Sequence, residues 1–195
     1  MPFISFFTYA FVNSFTPGPN NFMALAYANK YGFKRSLPFC IGVSIGFFTI
    51  VLLSSIFNIF LVKILPSIQL ALTIFGVIYM LYLAYKILTS RIETNGETDN
   101  KPKTNLLFIG VVMQFINPKA ILYGITVVGT FILPYFESYL SYLLFSLLLG
   151  FIGLLSACTW SLFGSVFQKY LIKYERVFNV VMALLLVYSA ISIAI

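Results

Sequence analysis

The sequence predicts an all-α integral membrane protein with six transmembrane helices, arranged as two inverted three-helix repeats. Three observations carry this prediction. Of the 195 residues, 61% are hydrophobic and only 9% charged, against about 25% charged in soluble domains. Apolar runs recur along the chain, each near the ~17–25 residues that a spanning helix needs. Two interruptions, Thr16-Pro17-Gly18-Pro19-Asn20-Asn21 and Asn117-Pro118-Lys119, fall inside the first apolar run of each half.

The first run covers about Phe3 to Ala28. Pro17 and Pro19 lack an N–H, and their rings clash with the carbonyl four residues back, at a cost of roughly 3 kcal/mol per proline inside a helix. Non-helical backbone at membrane depth survives only where it is buried in protein or lines a cavity. Thr16–Asn21 is therefore the first candidate site. Met1-Pro2-Phe3 carries no positive charge and no small-residue cleavage site follows, so the run is expected to remain in the mature protein. A basic turn with Lys30, Gly32, Lys34 and Arg35 comes next.

The second run covers about Pro38 to Val62 and contains Gly42 and Gly46. This small-xxx-small spacing lets helix backbones approach closely, so both glycines are read as helix-packing positions. A short turn is expected over Lys63 to Ser67. The third run covers about Ile68 to Leu88. Tyr79, Tyr82 and Tyr85 crowd its end beside Lys86, as aromatic residues do at the headgroup level.

Ser90 to Thr104 is a long polar stretch and reads as a cytoplasmic linker. It divides the chain into a first half (1–89), the linker (90–104) and a second half (105–195). The fourth run covers about Asn105 to Leu133, the fifth Tyr139 to Phe167, and the sixth Val177 to Ile195. The fifth exceeds the length required and is expected to tilt. A polar turn is expected over Gln168 to Arg176.

Charge sets the orientation. One side receives Lys30, Lys34 and Arg35, the linker's Lys86, Arg91, Lys101 and Lys103, and Lys169, Lys173 and Arg176; the other side has only Lys63. Cytoplasmic loops carry the Lys/Arg excess, which predicts six spans with both termini outside. A re-entrant hairpin at Pro118 would put the Lys169–Arg176 turn outside, against that rule.

Three spans per half make the halves inverted, and transporters of this kind hold their site where interrupted helices of the two halves meet near the midplane. Lys119 lies about twelve to fourteen residues from either end of its run. A lysine at a helix centre costs about 2.5–3.5 kcal/mol on insertion scales, and such charges usually face a cavity. The bland alternative is a lysine that snorkels or bonds a carbonyl freed by Pro118. The functional reading is an anion site or proton carrier. No Asp or Glu lies deep in an apolar run, so a substrate carboxylate is the natural anion. A helix starting near Asn21 would point free N–H groups into the break. Freed carbonyls near Phe15 and Thr16, with the amides of Asn20, Asn21 and Asn117, would suit an ammonium group. Gln114, one turn before Pro118, is a further candidate, with a helix–helix hydrogen bond as its alternative.

Composition narrows the function classes. The chain has no histidine, which removes catalytic triads and His-ligated metals. No cofactor or metal is expected, and no nucleic-acid partner, since the net charge of +7 matches basic loops on one membrane face. Cys40 and Cys158 sit in apolar runs and read as small packed hydrophobes. An enzyme is not expected; a Ser44–Lys119 pair would be its remaining chemistry. A channel lacks the charged rings or repeated carbonyl loops of a filter.

Thr16-Pro17-Gly18-Pro19-Asn20, the Gly32-Phe33-Lys34-Arg35 turn, Gly42 and Gly46, and Phe115-Ile116-Asn117-Pro118-Lys119-Ala120 resemble the lysine exporter (LysE/RhtB) family of bacterial amino-acid efflux proteins. The resemblance spans essentially the whole chain. Within the family, Pro17–Asn21, Ile121-Leu122-Tyr123-Gly124, Thr130-Phe131, Leu133-Pro134 and Ala183–Tyr188 look most like the branch that exports cysteine and O-acetylserine. Pro118 departs from that branch and follows the wider family pattern, which leaves threonine, homoserine and other small amino acids open. The resemblance implies proton-coupled export through the bacterial inner membrane, with a small amino acid, protons and the lipid bilayer as partners. Homo-oligomerisation is left open.

Overall fold

In lipid every backbone polar group has to be satisfied within the chain, and the apolar runs meet that demand as helices. In a computed structural model, residues 1–89 and 104–194 are described, and every regular element among them is helical. The linker expected over Ser90 to Thr104 lies outside the described residues except for Thr104.

Helix α1 (Phe3–Phe15) ends at Thr16, whose extended backbone leaves the helical region, and α2 (Pro19–Tyr31) starts on the other side of the break. Pro19 takes the first position of α2 behind Gly18 as cap, the helix position where a missing N–H costs nothing. Gly32 closes α2 with φ +82°, a conformation that a side chain would strain. It leads directly into α3 (Phe33–Ile56). One residue, Phe57, separates α3 from α4 (Asn58–Thr89).

Two expected turns are corrected here. Helical backbone runs through Lys63–Ser67, and the chain turns earlier, at Phe57. A proline removes one hydrogen bond, and that signal loses where the alternative is unpaired backbone in lipid. The expected polar turn over Gln168 to Arg176 instead contains a short helix, α8 (Gln168–Lys173), with Tyr174 before α9 (Glu175–Ala194).

In the second half, α5 (Leu106–Ile116) and α6 (Pro118–Val127) meet at Asn117. A π-helical turn, Val128–Ile132, extends α6. Helix α7 (Tyr139–Val166) follows the fifth apolar run closely, and Ser138 caps it by accepting from Ser141 N–H.

Four helical stretches among the described residues are long and apolar enough to cross a membrane: Phe33–Ile56, Gln69–Thr89, Tyr139–Val166 and Glu175–Ser192. Leu106–Ile116 and Pro118–Ile132 make a fifth if taken as one span bent by 67°. Helix α1 has 13 residues, which at 1.5 Å per residue reach about 20 Å, short of the ~30 Å hydrocarbon core.

Helix α3 is the hub, packed on α5 and on α7; α2 packs on α7, and α4 on α9. Small residues allow the α3–α5 crossing. A Cβ on Gly42 would overlap the Leu107 carbonyl oxygen, and one on Gly110 would lie 2.9 Å from Val43 N. One on Gly46 would lie 2.6 Å from Gln114 Cγ. Beside this crossing, Phe6, Phe47, Val51, Val127, Ile132 and Leu149 form a buried core. Ile78, Leu147 and Leu184 are exposed apolar side chains on α4, α7 and α9, the surface that an apolar solvent accommodates.

Candidate functional site

Both helix breaks come together at one lysine. Lys119, in the first turn of α6, reaches across to the end of α1. Its Nζ donates to Thr16 Oγ1 at 2.9 Å, to the Thr16 carbonyl at 3.2 Å and to the Pro17 carbonyl at 3.3 Å. Three oxygens thus match the three N–H donors of one ammonium. They lie at the C-terminal end of α1, the end whose unpaired carbonyls favour a cation. Gly18 makes the approach fit, since a Cβ there would sit 3.3 Å from Lys119 Cδ. Asn117 caps α6 by accepting from Lys119 N–H at 3.1 Å, which fixes the turn that carries the lysine.

The carbonyls freed at the first break are also held by other donors. Asn21 Nδ2 donates to the Ser14 carbonyl at 2.8 Å and the Thr16 carbonyl at 3.0 Å. Ser156 Oγ, on α7, donates to the Ser14 carbonyl at 2.7 Å. Trp160 Nε1 donates to the Phe15 carbonyl at 3.2 Å, and Ser189 Oγ, on α9, to the Pro17 carbonyl at 2.7 Å. Buried carbonyls need such partners. The Phe15 and Thr16 carbonyls, expected to suit a ligand's ammonium group, accept intramolecular donors in this structure.

A cavity of about 60 Å³ lies beside this knot. At roughly 10–15 Å³ per water it holds about four to six waters, the scale of a small solute. Of the ten residues singled out from sequence, Gly18, Asn20, Asn21, Gln114, Asn117 and Lys119 line it. Thr16 and Pro17 act one shell away, as acceptors for Lys119. Pro19 and Pro118 begin their helices and do not line it. Gly42 and Gly46 lie at the α3–α5 crossing, and Gly46 sits against the Gln114 side chain.

Two polar atoms here are buried without a hydrogen-bond partner: Gln114 Nε2, a donor, and Asn20 Oδ1, an acceptor. An unmet buried polar group costs about 1–3 kcal/mol. Both residues line the cavity, so a ligand with one acceptor and one donor would satisfy them. The N–H end of α2 and the N–H end of α6 border the same space through Gly18, Asn20, Asn117 and Lys119. Among the described residues, no group of three or more His, Cys, Asp or Glu side chains could hold a metal.

Several wall residues escaped the sequence reading: Asn13, Ser14, Tyr123 and Ser156 line the cavity. Tyr123 stands four residues after Lys119, on the same helix face, and that spacing was the available signal. Tyr123 OH donates to the Ala10 carbonyl at 3.2 Å. Ser156 and Ser189 sit in apolar helices with no local signal beyond their polarity.

Comparison with known proteins identifies the family. The profile of the LysE type translocator family matches residues 11–195. The chain belongs to the LysE family. Family membership makes it an amino-acid translocator of the membrane rather than an enzyme. The LysE chain is 38% identical over 189 residues to proteins named cysteine/O-acetylserine efflux protein, from Salmonella choleraesuis strain SC-B67, Salmonella typhimurium strain LT2 and Escherichia coli O1:K1 / APEC. Each match covers 97% of this chain and 95% of the relative. No solved structure matches the chain significantly.

Proposed function

We propose that this LysE-family protein exports small neutral amino acids, cysteine and O-acetylserine first among them, across the bacterial inner membrane in exchange for protons. The observation that carries the reading is the convergence of both helix breaks on Lys119 beside a small polar cavity. Lys119 and Gln114 Nε2 supply the cationic and donor groups for a substrate carboxylate. Asn20 Oδ1 supplies the acceptor for its ammonium. The cavity's volume favours a short side chain, in line with the efflux proteins to which the chain is 38% identical. Carboxylate binding would draw Lys119 away from Thr16 and Pro17 and loosen the tie between the halves. Proton exchange at this half-buried ammonium is the coupling step in this reading.

The fold reading goes with it: six spans in two inverted halves, 1–89 and 105–195, joined by a cytoplasmic linker, with both termini outside. The helices that correspond by order, α3 with α7 and α4 with α9, pack on each other, an arrangement that a two-fold relation between halves allows. The distribution of basic residues supports the orientation.

Everted vesicles with an imposed proton gradient test the function. Labelled O-acetylserine should accumulate above threonine and above lysine, and collapse of the gradient should abolish the accumulation. Threonine or homoserine accumulating first would move the substrate to another branch of the family. Uptake that is equal with and without the gradient rejects antiport.

A further inference from the structure

A second opening lies beside the first. A groove of about 490 Å³ runs along α1, bordered by Ile4, Val12 and Phe131 together with Ser5, Thr8, Tyr9 and Asn13. Asn13 lines both this groove and the cavity at Lys119. The two spaces are therefore separated by little more than the thickness of one side chain, and the partition can be named. The Tyr9 and Tyr123 rings meet edge to face with centroids 5.8 Å apart, and Tyr9 lies 5.6 Å from Phe131. Tyr123 OH donates to the Ala10 carbonyl, and Asn13 Nδ2 donates to the Tyr9 carbonyl. Phe131 belongs to the π-helical turn Val128–Ile132; such turns are uncommon and mark places where a helix is locally remodelled.

The α1 sequence points the same way. Ser5, Tyr9 and Asn13 recur every four residues and so share one face, flanked by Thr8 and Thr16. The opposite face carries Phe7 and Phe11, both exposed. The polar stripe leads along a groove also walled by Ile4 and Val12 to the half-buried Lys119, and intramembrane polar groups of this kind face a cavity.

We propose that the α1 groove is the outer exit of the translocation path, closed in this conformation by an aromatic gate of Tyr9, Tyr123 and Phe131. The proposal deepens the export reading above and takes its direction from the predicted outside position of the N-terminus. The permeating group is the same small zwitterion. Asn13 hands it from the Lys119 cavity to the Ser5–Thr8 stripe once the rings part. Rotation of Phe131 within its π-turn opens the partition without breaking a regular helix.

Cysteine labelling tests this. In a Cys40→Ala, Cys158→Ala background, Thr8→Cys, Asn13→Cys and Phe11→Cys are each exposed, in intact cells, to a membrane-impermeant thiol reagent. Thr8→Cys should label readily. Asn13→Cys should label slowly and several-fold faster when Phe131→Ala is added, and Phe11→Cys should stay unlabelled. If Phe131→Ala fails to insert, Phe131→Leu, which removes the ring contact with Tyr9 but keeps an apolar side chain, should give the same acceleration. The proposal is overturned if Asn13→Cys reacts only from the inner side, if neither gate variant changes its rate, or if Phe11→Cys labels as fast as Thr8→Cys. Disulfide cross-linking of Thr8→Cys between two copies would also overturn it, by making the groove a dimer interface. Labelling needs no transport, so the expected pattern together with absent O-acetylserine export would leave the path standing and reject the substrate reading.

Discussion

Lys119 Nζ donates to Thr16 Oγ1 at 2.9 Å across 103 positions of sequence. This bond joins the interruption in the first half to the interruption in the second. It explains how a fixed charge is tolerated inside an apolar assembly: the ammonium is met by three oxygens at the negative end of a helix. The same geometry makes the lysine displaceable, because each of its partners is neutral.

Lys119→Met should abolish export, lowering the rate at least tenfold in everted vesicles, while the protein still inserts and runs as a single species in detergent. Lys119→Arg should not restore it. A planar guanidinium cannot direct three N–H bonds from one nitrogen to three converging oxygens. Export by Lys119→Met at the unmodified rate would remove the lysine from the mechanism.

Gln114→Leu should split stability from function. It removes a buried donor that has no partner, so thermal unfolding in detergent should be unchanged or shifted upward. The substrate loses its donor at the same time, and the half-saturating concentration should rise by about tenfold, the effect of one hydrogen bond of ~1.5 kcal/mol to a charged group. A fall in melting temperature with unchanged transport would contradict this account.

Asn21 and Ser156 should prove coupled. Both donate to the Ser14 carbonyl, so either alone leaves it one partner. Asn21→Leu and Ser156→Ala should each cost about 1 kcal/mol, whereas the double variant leaves the carbonyl bare and should exceed the sum by about 1–2 kcal/mol. Denaturant titrations of the four proteins measure the difference; strict additivity would count against a shared acceptor.

Glycines should divide by what surrounds them. Gly42→Ala and Gly110→Ala place a methyl into facing backbone, which cannot move aside as a side-chain end can, and should destabilise by at least ~1–3 kcal/mol. Gly153→Ala meets only Phe47 Cδ1 at 3.8 Å, and Gly129→Ala meets nothing within 4 Å. Both should melt within a few degrees of the parent protein in detergent.

Much of this site was legible in the sequence. Proline and glycine chemistry located both breaks to within a residue or two, because a missing N–H acts locally whatever the surroundings. Lys119 stood out because a charge at mid-run is costly in any membrane context. The state of the freed carbonyls was not legible. Trp160, Ser156 and Ser189 reach them from 145, 142 and 172 positions away, and no local pattern announces such a partner. The turn expected at Lys63–Ser67 failed for a related reason: a proline marks a weak point, and the rest of the chain decides whether it becomes a bend.

The sequence by itself determined that this is a helical membrane chain, where its apolar runs lie, where two of them break, and which residue carries charge into the interior. Those properties follow from transfer energies and from backbone chemistry, which are local. Only the tertiary structure decided that the two breaks meet, that Lys119 is anchored on Thr16 and Pro17, and that Asn20 and Gln114 are left with unmet polar atoms beside a small cavity. These depend on which carbonyl each distant donor reaches, and that is set by the packing of α3, α7 and α9 around the breaks.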